Sequence, residues 1–484
     1  MERREFFSSR WTLLLSTLGM AIGAGNIWRF PRLAGEYGAA FLIPWAIFLL
    51  LWSIPLIMVE FSLGKQTRKG PIGTFSLFLG RSYTWMGGFV AFCTMGIMFY
   101  YSVVTGWALK YFIASVTGSL LKVDQSVYWE RFSTSGLEPL AFHLIALGLA
   151  SLVIYQGVVR GIERANRILL PSLLVLLIVG VVRALTLPNA VQGLQYLFGL
   201  RWEDLANYQV WLEGLSQSAW STGAGWGLIL TYAVYMRQKE DVTLNAFITG
   251  FGNNSASLLA GLAIIPSVFA LSATPEAALK ALQSGNQGLT FIAIPQLFST
   301  MVGAPVYMSI FFLALFFAAL SSLISMFELS TRVFMDFGLP RRQALALVAV
   351  LTAVFGAPSA LSMDFFNNQD WVWGLGLIIS GGFFAFAVLK KGVQQFRERW
   401  LNIGESDLYI GPWFNWVMRY VIPLEALVLL GWWFYQAIQW EAALWWNPLR
   451  PFSLGTCLMQ WGLLMTALWL FNRKLAKMIY RSED

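Results

Sequence analysis

Charged residues are scarce in this chain of 484 residues, since Asp, Glu, Lys and Arg make up only 12% of it and hydrophobic residues 57%. Soluble globular proteins carry about 25% charged residues, so the composition excludes an ordinary soluble enzyme. The sequence has two cysteines, and because Cys93 and Cys457 both lie in apolar stretches, a disulfide scaffold is excluded. The single histidine, His143, has no Cys/His cluster near it in the sequence, which argues against a zinc or haem site.

Long apolar runs are abundant instead. A membrane-spanning helix needs roughly 20 apolar residues, and twelve such runs can be read from the chain. They are continuous and do not alternate, which excludes a transmembrane β-barrel. We therefore predict an all-α polytopic protein with about twelve transmembrane helices in a lipid bilayer. The predicted segments cover residues 11–35, 39–63, 87–116, 140–157, 166–184, 208–236, 242–271, 297–334, 342–358, 371–390, 414–437 and 454–472.

The net charge of +8 does not indicate a nucleic-acid partner, because the charges lie in short loops between the apolar segments. Most of the 33 Lys and Arg residues fall on one side of the predicted topology. Cytoplasmic loops carry such an excess of positive charge. We therefore predict a multi-pass protein of the cell membrane with both termini in the cytoplasm.

Two segments carry glycine pairs in the middle of an apolar run. Segment one contains residues 23–26 (GAGN) and segment six contains residues 223–225 (GAG). Glycine costs about 1 kcal/mol per site in a helix interior, and a backbone opened there is tolerated only where it lines a cavity or is buried in protein. The alternative is close packing of helices through small residues, which is the commoner explanation for either motif alone.

The positions of the two motifs favour a functional explanation. They fall in the first and sixth of twelve segments, which are corresponding positions of two five-helix repeats, and repeats of five helices have opposite orientations in the membrane. Interrupted segments in matching positions point to the midplane site of a transporter. We predict one repeat in residues 1–185, a second in residues 208–390, and two accessory helices in residues 391–484.

Several motifs resemble the neurotransmitter:sodium symporter family. They are the stretch GAGNIWRFP at residues 23–31, the IPL of residues 54–56 with Glu60, the pair Tyr100–Tyr101, and residues 217–235 and 317–322. The resemblance implies a LeuT-like 5+5 inverted repeat with unwound helices one and six. It also implies sodium-coupled uptake of an amino acid or a derived amine by alternating access.

The resemblance further implies two sodium sites built from oxygen ligands, which suit a hard cation. One would use the carbonyl of Ala21 with the side chains of Asn26, Ser221 and Asn253. The other would use the carbonyls of Gly19, Ile22 and Ala318 with the hydroxyls of Ser321 and Ser322. Taken alone, the serine pair would be explained by hydrogen bonds back to its own helix.

Gly23 stands where the monoamine carriers of the family have an aspartate, which leaves room for a substrate carboxylate and favours an amino acid over an amine. The residues at the positions of the family's pocket lining are apolar, so an apolar or neutral amino acid fits best. The alternative explanation of these residues is ordinary core packing. The implied substrate site comprises Met20, Ala21, Gly23, Ala24, Gly25, Ile97, Tyr101, Trp220, Ser221, Gly223, Trp226, Ser322 and Met326.

Chloride dependence is a further hypothesis. Bacterial relatives that do not need chloride usually carry a carboxylate at the position of Ser257, and chloride-dependent animal members carry a serine. Chloride could balance the charge that a missing carboxylate leaves. The family's tyrosine in segment two is replaced by Trp45, which weakens the case. The candidate anion set is Gln217, Ser221, Asn253 and Ser257.

The remaining charged residues resemble the gates of the family. Arg29 and Asp370 match the extracellular pair, and Arg4 with Asp336, covered by Tyr235, matches the cytoplasmic set. Phe7 replaces the family's tryptophan beside that arginine. Glu60 lies deep in segment two, where a charged side chain is costly and usually has a function. We expect it to bind the unwound backbone of segment one or six.

Three functions fit the sequence. The first is a bacterial sodium symporter for an apolar amino acid. The second is the same fold carrying another small zwitterionic solute, such as a compatible osmolyte. The third is an amino-acid-binding membrane sensor that does not transport, against which the two gate sets argue. No nucleophile–base pair can be recognised, so we do not expect an enzyme.

Overall fold

A computed structural model describes residues 5–403 and 407–481 of the chain; the predicted gate residue Arg4 lies outside this range. All regular secondary structure in the described residues is helical. The first half contains α1 (Arg10–Ala21), α2 (Ala24–Ile27), α3 (Arg29–Tyr37), α4 (Leu42–Phe48), α5 (Ile54–Thr67), α6 (Pro71–Leu79), α7 (Thr84–Val116), α8 (Gln125–Thr134), α9 (Leu137–Tyr155), α10 (Arg164–Leu185) and α11 (Ala190–Phe198).

The second half contains α12 (Tyr208–Ser221), α13 (Leu228–Ala233), α14 (Val242–Leu271), α15 (Pro275–Leu282), α16 (Gly285–Gln287), α17 (Ile294–Phe298), α18 (Ala304–Asp336), α19 (Arg341–Leu361), α20 (Met363–Lys391), α21 (Val393–Phe396), α22 (Trp413–Trp416), α23 (Ile422–Trp440), α24 (Leu454–Leu470) and α25 (Asn472–Arg481). Short 3-10 stretches lie at Gly38–Phe41, Arg81–Tyr83, Ser119–Lys122 and Trp202–Ala206. π-helical stretches lie at Leu49–Ser53, Val158–Glu163, Gly288–Ala293, Arg397–Leu401 and Val417–Val421.

Nine uninterrupted helical spans in the described residues are long and apolar enough to cross a membrane, or ten if the bent pair α24–α25 counts as one span. The all-α membrane fold is therefore confirmed. The two predicted segments without a span of their own are segments one and six, because both are interrupted. The second half of segment one continues into segment two, and the two together form the span Ala24–Thr67.

Helix α7 and helix α18 form the centre of the molecule. Each has 33 residues, and they pack along each other. The most apolar part of α7 is 83% buried, whereas that of α10 is only 28% buried. The peripheral helices therefore leave apolar faces for lipid, as segments of continuous hydrophobicity require. Helix α18 begins at residue 304 and not at 297 as predicted, since Gly303 at φ 81° ends the preceding turn.

Close backbone contact between α7 and α9 depends on a glycine. A Cβ added to Gly106 would lie 2.7 Å from the carbonyl carbon of Phe142 and 2.9 Å from the amide nitrogen of His143. His143 is buried beneath this contact, and its Nδ1 lies 2.9 Å from the hydroxyl of Ser102. The only histidine of the chain is thus a buried structural residue.

We expect Gly106→Val to separate α7 from α9 and to lower the free energy of unfolding by about 1–3 kcal/mol, the usual range for overpacking. Gly148→Val on the exposed side of α9 is the matched control, since a Cβ there meets nothing within 4 Å. Thermal unfolding of the purified protein in detergent measures both. Equal unfolding temperatures for the two variants would contradict the contact.

Candidate functional site

Helix α1 ends at Ala21, and the backbone that follows turns to side chains for its hydrogen bonds. In an α-helix, each N–H donates to the carbonyl four residues earlier. Here the N–H of Gly23 donates to Asn26 Oδ1 (2.8 Å), and the N–H of Ala24 donates to the hydroxyl of Tyr101 (2.9 Å). The carbonyls of Gly19 and Met20 therefore lose these two partners and are free to bind other groups.

The second interruption separates α12 from α13. Gly223, Gly225 and Gly227 have φ angles of 72°, 85° and 78°, a region that side chains disfavour, so glycine is needed at all three positions. The carboxylate of Glu60, fully buried on α5, accepts from the N–H of Gly225 (2.6 Å) and of Leu230 (3.1 Å). Glu60 thus satisfies backbone donors that the missing helical turn leaves without carbonyls.

The two interruptions lie side by side, and polar groups from both meet there. Asn26 Nδ2 lies 2.8 Å from Asn253 Oδ1 and 3.2 Å from the hydroxyl of Ser221. The same end of the Asn253 amide lies 3.0 Å from the carbonyl oxygen of Ala21 and 3.1 Å from that of Ser221. The structure therefore brings together the residues of the predicted first sodium set. Asn26 presents its Nδ2 there, while its Oδ1 accepts from the N–H of Gly23.

The predicted second sodium set lies between the end of α1 and α18. The hydroxyl of Ser322 donates to the carbonyl of Met20 (3.0 Å), which links α18 to α1. The hydroxyl of Ser321 donates to the carbonyl of Ala318 on its own helix (3.0 Å), as the alternative explanation of the serine pair requires. Gly19 and Ile22 lie at the end of α1, where Ile22 caps the helix. The contact that joins the two halves of this set is the hydrogen bond from Ser322 to the carbonyl of Met20, a residue that the prediction did not include.

A cavity of about 260 Å³ opens beside both interruptions. Two of the predicted substrate residues, Ala24 and Ile97, are fully buried and are not among the residues that line it. Among the predicted substrate residues, the lining includes Met20, Ala21, Gly23, Gly25, Tyr101, Trp220, Ser221, Gly223, Trp226, Ser322 and Met326.

Sequence reasoning missed several lining residues. Tyr100, Val104 and Leu228 line the cavity, and so does an aromatic group from the second half of the chain. The rings of Trp371, Trp433, Trp440 and Phe452 contact one another in this group. Trp371 lies at the start of segment ten and Trp433 in segment eleven, and the other two lie between segments eleven and twelve. No signal in the sequence identified them, since tryptophan is common throughout this part of the chain.

Two buried polar groups lie at the predicted anion set. Neither end of the Gln217 amide nor Nε1 of Trp45 has a hydrogen-bond partner among the described residues. The ring of Trp45 lies 4.6 Å from that of Phe30, and a Cβ on Gly261, one turn beyond Ser257, would lie 2.9 Å from Phe30. Ser257 itself accepts from Asn26 Nδ2 at 2.8 Å.

The predicted outer gate is not closed in this structure. Arg29 does not pair with Asp370, although both line the cavity. Its guanidinium contacts the carboxylate of Glu213 at 3.4 Å and the hydroxyl of Ser216 at 2.9 Å, because these lie on the adjacent helix α12. Glu213 was missed, although a carboxylate within segment six was a signal that could have found it.

The opposite side of the protein is closed around Tyr235. Its hydroxyl donates to Glu328 (2.5 Å), and its carbonyl accepts from the N–H of Phe7 (3.1 Å). Glu328 is also paired with Arg341 at 2.5 Å. The predicted gate residue Asp336 pairs with Arg332 at 3.0 Å. This side is therefore sealed by ion pairs and by the buried ring of Phe7.

Comparisons with known proteins show which family the chain resembles as a whole. A family model described as the sodium:neurotransmitter symporter family matches residues 4–134 and 135–476. A sodium-dependent transporter of Methanocaldococcus jannaschii is 32% identical over 450 residues, covering 88% of this chain and 90% of that protein. A sodium- and chloride-dependent GABA transporter of Drosophila melanogaster is 25% identical, covering 84% of this chain and 50% of that protein.

The fold is also similar to a solved structure. The crystal structure of MhsT in complex with L-phenylalanine matches with a TM-score of 0.77 and 29% sequence identity. The match covers 88% of this chain and 99% of that one. The interrupted helices of segments one and six therefore occur within a fold that is already known to hold an amino acid in MhsT.

We expect Glu60→Gln to destabilise the second interruption, because its NH2 group cannot accept from a backbone N–H. Each hydrogen bond to a charged group contributes about 1.5–3 kcal/mol, so the thermal unfolding temperature should fall clearly. The control is Glu130→Gln, an exposed carboxylate on α8. An unfolding temperature for Glu60→Gln equal to that of the control would show that this carboxylate does not hold the backbone.

Proposed function

Because the chain belongs to the sodium:neurotransmitter symporter family, we propose that it is a symporter that couples sodium entry to uptake of an apolar amino acid. The family consists of sodium-dependent transporters and not of enzymes. The observation that carries the proposal is the cavity beside two interrupted helices, with both oxygen sets at its edge.

The carboxylate of the substrate fits at Gly23. A Cβ there would lie 2.8 Å from the hydroxyl of Ser322 and 2.9 Å from that of Tyr101, so the missing side chain leaves a small space between two hydroxyls. Helix N-termini favour anions, and α2 begins at the next residue. The hydroxyl of Tyr101, which accepts from the N–H of Ala24, can in turn donate to the carboxylate. A sodium ion among Ala21, Asn26 and Asn253 would add positive charge beside the same space.

The side chain of the substrate fits an apolar wall. Trp220 and Trp226 stand nearly perpendicular, at 78° with ring centroids 5.9 Å apart, and Met20 and Met326 complete the lining. Aromatic rings prefer such edge-to-face arrangements. We propose a large apolar amino acid such as phenylalanine, in keeping with the ligand of MhsT.

Alternating access requires one closed side and one open side. The side of Phe7 and Tyr235 is closed, and the cavity extends towards Arg29 and Asp370. We propose that the termini lie in the cytoplasm, as the charge distribution predicts, and that the open side therefore faces outward. We propose that Arg29 exchanges Glu213 for Asp370 when the outer side closes. The Arg29–Glu213 pair is largely buried, and the cost of desolvating buried charges offsets much of their attraction, so the exchange can be reversed in each cycle.

Thermal stabilisation by amino acids in sodium and in potassium tests the proposal. A ligand at one hundred times its Kd stabilises the folded state by about 2.7 kcal/mol, so phenylalanine should raise the unfolding temperature in sodium and not in potassium. Stabilisation by a polar zwitterion such as betaine, and not by apolar amino acids, would favour the second candidate solute. Equal stabilisation in both salts would contradict sodium coupling.

We also propose that chloride binds beside the first sodium set. The amide of Gln217 and the indole N–H of Trp45 are buried donors without partners. The indole N–H replaces the hydroxyl that the resemblance requires in segment two. An anion bound there would satisfy these donors and balance the charge of the neighbouring sodium.

Full replacement of chloride by gluconate should therefore reduce sodium-dependent uptake in proteoliposomes. Trp45→Phe should increase the dependence on chloride concentration, and Ser257→Glu should remove it by supplying a fixed negative charge. Trp52→Phe is the control, because its buried indole N–H is also without a partner. Uptake that is unchanged in gluconate would exclude the chloride site.

A further inference from the structure

A glycine on α20 contacts one wall of the cavity, the indole of Trp220. A Cβ added to Gly374 would lie closest to Cζ2 of this indole and 2.6 Å from its Cη2, whereas Cβ atoms in proteins essentially never lie within 3.0 Å of such an atom. Glycine is unfavourable within a helix, and Gly374 has no positive φ angle that would require it. The indole, which reaches from α12 to α20, therefore explains why this position carries no side chain.

Helix α20 itself is fixed in place about two turns beyond this glycine. The hydroxyl of Ser380 donates to the carbonyl of Gly225 in the second interruption, and a Cβ added to Gly225 would lie 2.7 Å from Cα of Gly381. The helix also packs along α7. Because closely packed interiors leave little room for a helix to shift, a side chain at position 374 would displace the indole and not the helix.

The indole of Trp220 is held by packing. Nε1 of the neighbouring Trp226 donates to the carbonyl of Ala219 (3.4 Å), whereas no hydrogen bond of the Trp220 indole to another described residue is found. The guanidinium of Arg29 lies 5.7 Å from the centre of the Trp220 ring, and the ring of Trp226 lies 5.9 Å from it. The open space beside the ring is the cavity that it lines, so an indole displaced from α20 moves into the cavity.

We infer that Gly374 is a positioning residue for substrate selection, which acts through Trp220. Because position 374 has no side chain, the six-membered ring of the indole lies against α20 and leaves room for a large apolar side chain in the cavity. A Cβ at this position would push the ring into the space that a phenylalanine side chain needs, whereas a smaller apolar side chain would still fit. The inference rests on the proposed function and deepens it, since it assigns the size limit of the substrate to a residue outside the cavity lining.

Amino acid titrations of Gly374→Ala in sodium, followed by thermal unfolding, test the inference. The phenylalanine concentration for half-maximal stabilisation should rise at least tenfold, since a mismatch of one methylene group in an apolar pocket changes selectivity by about 10–200-fold. The value for valine should stay close to that of the wild-type protein, so the ratio of the two values measures the size limit. Gly382→Ala on the same helix is the matched control, because a Cβ there meets nothing within 4 Å.

Trp220→Phe supplies the second half of the test. The phenyl ring is shorter than the indole and lacks the atoms Cζ2 and Cη2 that a Cβ at position 374 would meet. In this background, Gly374→Ala should leave the phenylalanine-to-valine ratio unchanged. The two substitutions are therefore expected to be non-additive, as is typical of residues in contact. A loss of helix packing alone would lower the unfolding temperature without ligand and would not give this pattern.

An unchanged ratio in Gly374→Ala, or an equal change of the ratio in both backgrounds, would overturn the inference and leave the proposed function standing. If Gly374→Ala does not fold, the double variant decides. The inference requires the double variant to fold and to bind phenylalanine as Trp220→Phe does, and its failure to fold would assign Gly374 to helix packing alone. A wild-type protein that no amino acid stabilises in sodium would refute the proposed function itself, and the inference with it.

Discussion

Hydrogen bonding of interrupted backbone in an apolar environment is the constraint on which this structure depends. A helix in a membrane satisfies its own N–H and C=O groups, and a break exposes them where no water can compensate. Here the donors of the first break are bound by Asn26 and Tyr101, and those of the second by the buried carboxylate of Glu60. The donors are thereby satisfied, and carbonyl oxygens remain available for cations.

The same constraint explains the position of the cavity. Backbone oxygen atoms and small residues at the breaks cannot fill space as leucine or phenylalanine would, so the centre of the molecule is open where the breaks meet. Large apolar side chains close the remaining walls. A site with neutral oxygens at one edge and aromatic rings on the other suits a zwitterion with an apolar side chain together with sodium.

The fold could be predicted largely from the sequence, because long apolar runs and glycine pairs are local signals. With the bent pair α24–α25 counted as one span, ten of the twelve predicted segments form spans of their own in the described residues, and the remaining two are the interrupted ones. The boundaries of the two repeats stay a prediction. Segment edges were less accurate where a glycine with positive φ, such as Gly303, ends a turn within an apolar run.

Side-chain contacts between distant helices could not be predicted in the same way. Ala24 and Ile97 share their segments with residues that line the cavity but do not line it themselves. Arg29 binds Glu213 because α12 lies beside it, and Asn166 approaches Gly19 only because α10 packs on α1. Such contacts depend on helix rotation and on which neighbour is nearest, and neither is encoded in a single segment.

The most direct test of the account is sodium flux driven by substrate. Proteoliposomes would be given an inward gradient of phenylalanine without a sodium gradient, and entry of ²²Na⁺ would be followed. Coupling at adjoining sites predicts sodium entry that requires phenylalanine and is lost in Glu60→Gln. Phenylalanine that enters or binds without any sodium movement would contradict the coupled site.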